Sequence, residues 1–228
     1  MIDTMQNTAM LWTGGKDSAM ALYEAVQSGY CVSCLVTFAP PEPDFLAHPL
    51  SFIKMQARAL ALPHHVFPIS APFEKSYEAI LRRLRDEMGI NCVVTGDIAE
   101  VDGNPNWIRE RSRSVGMKVH TPLWGRDRNA LLRQFIDRGF KACISCVNTR
   151  WLDGSWVGRE LDDAAVTELR GIRERTGLDL CGEEGEYHTL VLDGPQFRQG
   201  IDMRSCSKRA TGSLVHMDIN ELELIDRS

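Results

Sequence analysis

Apolar positions fall in short continuous runs separated by stretches with helical spacing. Thr8 to Trp12 reads as a strand, broken by Thr13-Gly14-Gly15. From Asp17 to Ser28 the apolar residues recur with helical period, and Gly29 follows as a C-cap. Cys31 to Phe38 is a second strand, rich in β-branched and apolar residues. Pro40, Pro41 and Pro43 mark a loop. Ser51 to Leu62 reads as a helix with Ser51 as its N-cap. His64 to Ile69 is a third strand, and Phe73 to Met88 is a strongly amphipathic helix closed by Gly89. Asn91 to Thr95 is a fourth strand that runs into Gly96-Asp97. Trp107 to Val115 is a helix stopped by Gly116, and Lys118 to Leu123 is a further short strand.

Continuously apolar strands alternating with helices predict a parallel, doubly wound α/β sheet of Rossmann-like type, covered on both faces. Such sheets bind ligands beyond the carboxyl ends of their strands, where Thr13, Thr37-Phe38 and Gly96-Asp97 fall. Past residue 123 the rhythm is less regular. Asn129 to Arg138 is a helix, Phe140 to Val147 a strand, and Leu161 to Thr176 a helix with Asp162 and Asp163 at its anion-favouring start. Ser213 to Ile225 is one or two strands. The expected organisation is a nucleotide-binding domain over 1–123 and a smaller α/β lobe for substrate over 124–228.

Composition narrows the classes. Of 228 residues, 43% are hydrophobic and 25% charged, as in ordinary globular chains. No apolar run approaches the ~20 residues of a membrane helix. The first residues, MIDTMQNTAMLW, lack the basic and apolar regions of a signal peptide. The net charge of −5 argues against non-specific nucleic-acid binding. Arg82, Arg83 and Arg85, and likewise Arg109, Arg111 and Arg113, are interrupted by Asp86, Glu87 and Glu110, and read as solvated helix faces. Seven cysteines, an odd number, point to a reducing cytoplasmic setting.

Thr13-Gly14-Gly15-Lys16-Asp17-Ser18 joins a predicted strand to a predicted helix. Two glycines let the backbone approach a ligand closely. The helix start offers N–H groups and about half a positive charge to an anion. Lys16 adds a full charge, and Thr13 and Ser18 add hydroxyls. The segment is not a Walker A loop, because Met10 stands where that motif needs Gly and Asp17 where it needs Ser or Thr. It resembles the Ser-Gly-Gly-Lys-Asp-Ser motif of the PP-loop ATPases, in the adenine nucleotide α-hydrolase superfamily. That resemblance implies ATP with Mg²⁺, cleavage between the α and β phosphates, and Asp17 near the metal.

Glu183, Glu184 and Glu186 crowd between and beside Gly182 and Gly185, just before a strand. Burying three carboxylates together demands a cation or raised pKa values. The group suits Mg²⁺, ammonium or an amine, or a base that frees ammonia; the plain alternative is an exposed acidic turn. Gly182 to Phe197, GEEGEYHTLVLDGPQF, closely resembles the signature of the diphthine–ammonia ligase family and its bacterial relatives. His48, Thr95 to Ile98, Pro122 to Gly125 and Val157 to Arg159 match in the family's order. The resemblance implies that ATP activates a carboxylate as an acyl-adenylate and that ammonia displaces AMP. By position it implies ATP binding at Thr13, Gly14, Gly15, Lys16, Asp17, Ser18, Thr37, His48, Gly96 and Asp97. It implies catalysis by Lys16, Glu183 and Glu186, and acceptor binding at Gly185, His188 and Thr189. The partners it implies are ammonia or ammonium and a carboxylate acceptor, carried in the named members by a protein; a homo-oligomer is compatible. Two departures stand out. Glu184 occupies a place usually held by Gly or Asn, where φ is expected to be positive, and Arg109 and Ser112 replace a Glu and a Cys.

Cys31-x-x-Cys34 and Cys143-x-x-Cys146 have zinc-like spacing but lie inside predicted strands, where positions i and i+3 face opposite ways. They are expected as buried thiols. His64-His65, Trp151 and Trp156 are expected to pack. Two alternatives to the ligase stay open: a PP-loop tRNA-modifying enzyme of thiolase or lysidine type, and a nucleotide sensor without turnover.

Overall fold

The computed structural model describes residues 7–39, 46–100 and 106–227; the Pro40–Pro43 loop expected from the sequence lies outside them. The backbone packs as two compact units, Met1–Thr13 with Asp17–Asp44 and Leu62–Gly125, and Gly14–Lys16 with Phe45–Ala61 and Arg126–Ser228. The second unit thus takes up two stretches of the N-terminal half. The turn at 14–16 does so because β7, described below, and Gln56 both bond to it.

In chain order the first unit runs β1 (Asn7–Leu11), α1 (Lys16–Gln27, whose first residue packs with the second unit) and β2 (Cys31–Ala39). After α2 (Leu50–Leu60), which belongs to the second unit, it continues with β3 (His64–Pro68), α3 (Phe73–Met88), β4 (Cys92–Val94), α4 (Trp107–Ser114) and β5 (Lys118–His120). Its five strands form one parallel sheet in the order β3-β2-β1-β4-β5. Strand order reverses beside β1, which creates the crevice that doubly wound sheets offer to ligands. Burying both sheet faces explains the unbroken apolar runs: Ala9, Cys34, Val36 and Val93 join Leu81 and Leu84 of α3 in one core. Gly89 closes α3 in the left-handed conformation, as its position predicts.

The second unit adds α5 (Arg128–Asp137), β6 (Lys141–Asn148), α6 (Asp163–Thr176), β7 (Tyr187–Asp193), β8 (Gln199–Thr211) and β9 (Leu214–Asp226). Its four strands are antiparallel in the order β7-β6-β9-β8. Asp127 and Asp162 cap α5 and α6 through the N–H groups of Ala130 and Ala165. A polar residue is conspicuous in α2: Gln56 is 0% exposed among buried Phe52, Ile53, Ala57, Ala59 and Leu60.

Three local expectations change and one strand goes unanticipated. Ser51 does not cap α2. Pro49 holds the cap position and makes no side-chain bond, because a helix start has spare N–H groups and tolerates proline. The tail is a single strand, β9, and its partner β8 escapes the sequence pattern. Glu184 is not in the left-handed region; positive φ falls on Gly182 and Gly185 instead. Cys31 is exposed, whereas Cys34, Cys143 and Cys146 are buried. Trp156 is buried and stacks with the Arg159 guanidinium, while Trp151 is half-buried against Arg150. The Arg82 and Arg83 side chains pair with Glu78 and Glu87 on the open face of α3, as solvated helix faces do.

Candidate active site

At the carboxyl ends of β1, β2 and β4 the first unit gathers several of the expected residues. Thr13, two residues past β1, is exposed. Thr37 is buried near the end of β2; its hydroxyl donates to the Trp12 carbonyl at 2.7 Å and shares a hydrogen bond with His64 Nε2 at 2.8 Å. Asp17 stands in the first turn of α1, half-buried, with Ser18 buried beside it. Gly96 follows β4 and packs directly on that turn: a Cβ there would lie 2.8 Å from the Asp17 carbonyl carbon and the Ser18 nitrogen. Asp97 accepts a 2.7 Å bond from Asn106, whose own side-chain oxygen caps α4. Burial and the nearby Asp97 carboxylate raise the pKa of Tyr77.

Within the second unit the Gly14-Gly15-Lys16 turn is anchored on β7. The Gly14 carbonyl accepts the Val191 N–H at 3.0 Å and Gln56 Nε2 at 2.8 Å. Gly14 has φ +82°, a conformation suited to glycine, and a Cβ there would collide with the Gln56 side-chain oxygen. The Lys16 N–H donates to the Thr189 hydroxyl at 3.0 Å, and its ammonium donates to the Cys181 carbonyl, 5.6 Å from the centre of the Tyr187 ring. Lys16 is only 5% exposed. His48 sits against the same turn, its ring 3.4 Å from where a Gly15 Cβ would stand, and edge-on to His188 at 5.3 Å. His48 Nδ1 is buried without a hydrogen-bond partner. Burial first, then His188, then the Lys16 charge push the His48 pKa down to about 3. Burial and Lys16 lower that of His188 too. Both rings are therefore neutral at pH 7, and the lysine carries the local positive charge.

The acidic turn is divided. Glu184 is exposed and Glu183 half-buried, but Glu186 is 1% exposed. One oxygen of Glu186 accepts the Asp179 N–H at 2.8 Å and the other the Glu184 N–H at 3.0 Å. Two backbone donors thus satisfy a buried carboxylate that the sequence leaves open as a cation ligand, a base or part of an exposed acidic turn. The Glu186 carboxylate shapes the turn that presents the Cys181 carbonyl to Lys16. Arg128 supports the same turn through Asp179 at 2.7 Å. Among the described residues, no cluster of three or more His, Cys, Asp or Glu side chains is placed to hold a metal. Gln56 and Asp179 are the site residues that sequence reasoning misses. A lone amide inside the apolar stripe of α2 is the signal for Gln56; Asp179 has none.

Two family descriptions match the chain: "Diphthamide synthase N-terminal domain" over residues 6–119 and "Diphthamide synthase C-terminal domain" over residues 127–225. A diphthine–ammonia ligase of Danio rerio is 25% identical over 236 residues, covering 91% of this chain and 88% of the relative. One of Homo sapiens is 25% identical over 250 residues, covering 96% and 92%. Among solved structures, a predicted subunit of tRNA methyltransferase from Methanocaldococcus jannaschii aligns at 17% identity over 83% of this chain and 98% of its own, with a TM-score of 0.47.

Proposed function

Because the chain belongs to the diphthamide synthase family, we propose that it is an ATP-dependent ligase that turns a carboxylate into an amide with ammonia. The supporting observation is the Gly14-Gly15-Lys16 turn between β1 and α1, beside the point where strand order reverses. A polyphosphate laid across it meets backbone amides, the positive end of α1 and the Lys16 ammonium. In this reading an acceptor carboxylate oxygen attacks the α-phosphorus of ATP, and the bond to pyrophosphate breaks. Lys16 stabilises the charge that leaves. Ammonia then attacks the acyl carbon, the C–N bond forms, AMP departs and Glu183 takes the surplus proton. Gly185, His188 and Thr189 serve the acceptor side, and Thr13, Ser18, His48, Gly96 and Asp97 the nucleotide side. Glu186 acts from behind, by holding its turn.

Mg²⁺ bound with ATP needs only one or two protein carboxylates beside phosphate oxygens and water. Asp17, opening α1 against the Gly96 backbone, fits that requirement as the single carboxylate. The ion would neutralise charge on the phosphates. The acceptor is a carboxylate on a protein side chain of diphthine type or a small acid, and the setting is cytoplasmic. The thiolase alternative has little chemical support: burial pushes the thiols of Cys143 and Cys146 up to about 12 and about 11, so neither is a ready thiolate.

Calorimetry with ATP and Mg²⁺, followed by pyrophosphate release with ammonium and a panel of carboxylates, tests the reading. Wild-type protein is expected to take up ATP, and Lys16→Ala to bind it at least about tenfold more weakly, as loss of a charged hydrogen bond predicts. Unchanged titration in the variant would reject Lys16 as the phosphate ligand.

A further inference from the structure

We propose that His48 and His188 hold the attacking ammonia: the buried Nδ1 of His48 accepts one of its N–H groups, and the neighbouring imidazole walls the site. The inference rests on the ligase reading and gives its nucleophile a place. The second unit assembles the pair by itself. The Ser145 hydroxyl of β6 donates to the Ala47 carbonyl at 2.8 Å, which fixes the loop that carries His48 ahead of α2. His188 stands on β7, opposite Cys146 of β6. Loop and strand thereby set the two rings edge-on at 5.3 Å. The Cε1 of His48 lies 3.4 Å from where a Gly15 Cβ would stand, so the pair borders the turn at which the acyl-adenylate forms in that reading.

His48 Nδ1 is shielded from solvent and has no hydrogen-bond partner. A buried polar atom left unmet costs about 1–3 kcal/mol, and a partner that reaches a shielded ring nitrogen has to be small. A neutral imidazole offers one N–H and one acceptor nitrogen; with the proton on Nε2, Nδ1 accepts. Burial, His188 and the Lys16 charge keep the second proton off His48 down to about pH 3. Burial and Lys16 also lower the pKa of His188. An ammonium ion placed beside the rings meets the same burial and the same Lys16 charge, so it too is driven to shed a proton. Ammonia held through one N–H keeps its lone pair for the acyl carbon. The C–N bond forms, the bond to AMP breaks, and the surplus proton passes to Glu183, because His48 is too weak a base to keep it.

Protein carrying ¹⁵N in its histidine rings is titrated with ammonium chloride at pH 7.5 and pH 8.5. Potassium chloride is the control, a cation of the same charge without N–H groups. His48 Nδ1 should resonate as an unprotonated nitrogen and shift saturably with ammonium chloride, but not with potassium chloride. The ring itself does not titrate in this range. Because the uncharged form binds, the midpoint in total ammonium should fall about tenfold from the lower pH to the higher. A proton found on Nδ1, an unmoved resonance, an equal response to potassium or a midpoint that ignores pH overturns the proposal. His48→Phe keeps a flat ring without nitrogen, and the accompanying shift of His188 should vanish in it; a shift that survives overturns the role of His48. If this variant does not fold, the wild-type titration still decides. Neither ATP nor an acceptor enters the experiment. Protein that shows the shift but takes up no ATP keeps the site and loses the ligase reading, and protein that binds ATP without the shift does the reverse.

Discussion

His48 shows how a side chain's surroundings set its chemistry. Its imidazole packs against the Gly15 backbone, His188 and the Lys16 charge, and its pKa falls from the ordinary 6.5 to about 3. Between those values an unfolded chain binds a proton at His48 and the folded chain does not. Stability from this group is complete above pH 6.5 and drains away as the pH falls towards 3. The expected loss at pH 5 is about 2 kcal/mol relative to pH 7, and the lowered pKa of His188 adds in the same direction. Urea unfolding at the two pH values would measure it. His48→Asn should flatten the difference; a variant as acid-sensitive as the wild type would refute the account. Glu186 makes the complementary point. Its carboxylate is as deeply buried as an aliphatic core residue, yet two backbone donors meet it.

At the level of elements, the close fit of the β4 loop against α1 is testable through Gly96. A methyl group there would press on the Asp17 and Ser18 main chain at 2.8 Å, and backbone cannot rotate aside as a side chain can. Gly96→Ala should cost about 1–3 kcal/mol, read by thermal or urea unfolding, with faster amide exchange in the first turn of α1. A variant of wild-type stability would show that the loop has slack. The same strands and helices explain what the sequence discloses. β1, β2 and β4 are covered on both faces, so their apolar runs are unambiguous, and α3 begins and ends where its periodicity does. β8 has no such signature. From Arg204 to Thr211 it is exposed and pairs only with β9, leaving no buried face to alternate with a wet one. The Gly-Gly-Lys and Glu-rich segments are legible as motifs because their chemistry is local. The bonds from Gln56 to Gly14 and Val191 are not, since they join positions 42 and 135 residues apart.

For the whole molecule, the balance of 26 basic against 31 acidic residues bears on the choice of partner. A tRNA-modifying enzyme needs a cationic surface, and its affinity falls steeply with salt. Native gel shifts with unfractionated tRNA are expected to show no binding below micromolar protein at 50 mM salt. A shifted band that disappears at 200 mM would restore the tRNA reading. No helix among the described residues is long and apolar enough to cross a membrane.

The bond from the Lys16 amide to Thr189 spans 173 positions. A ribosome that has made the entire parallel sheet has not yet made the hydroxyl that receives that amide, nor the strand that receives Gly14. The Gly14–Lys16 turn is thus translated well before the strand that completes its bonding. If the turn seats ATP as proposed, a newly made chain gains that capacity only once β7 has emerged, which separates synthesis of the first unit from the onset of binding.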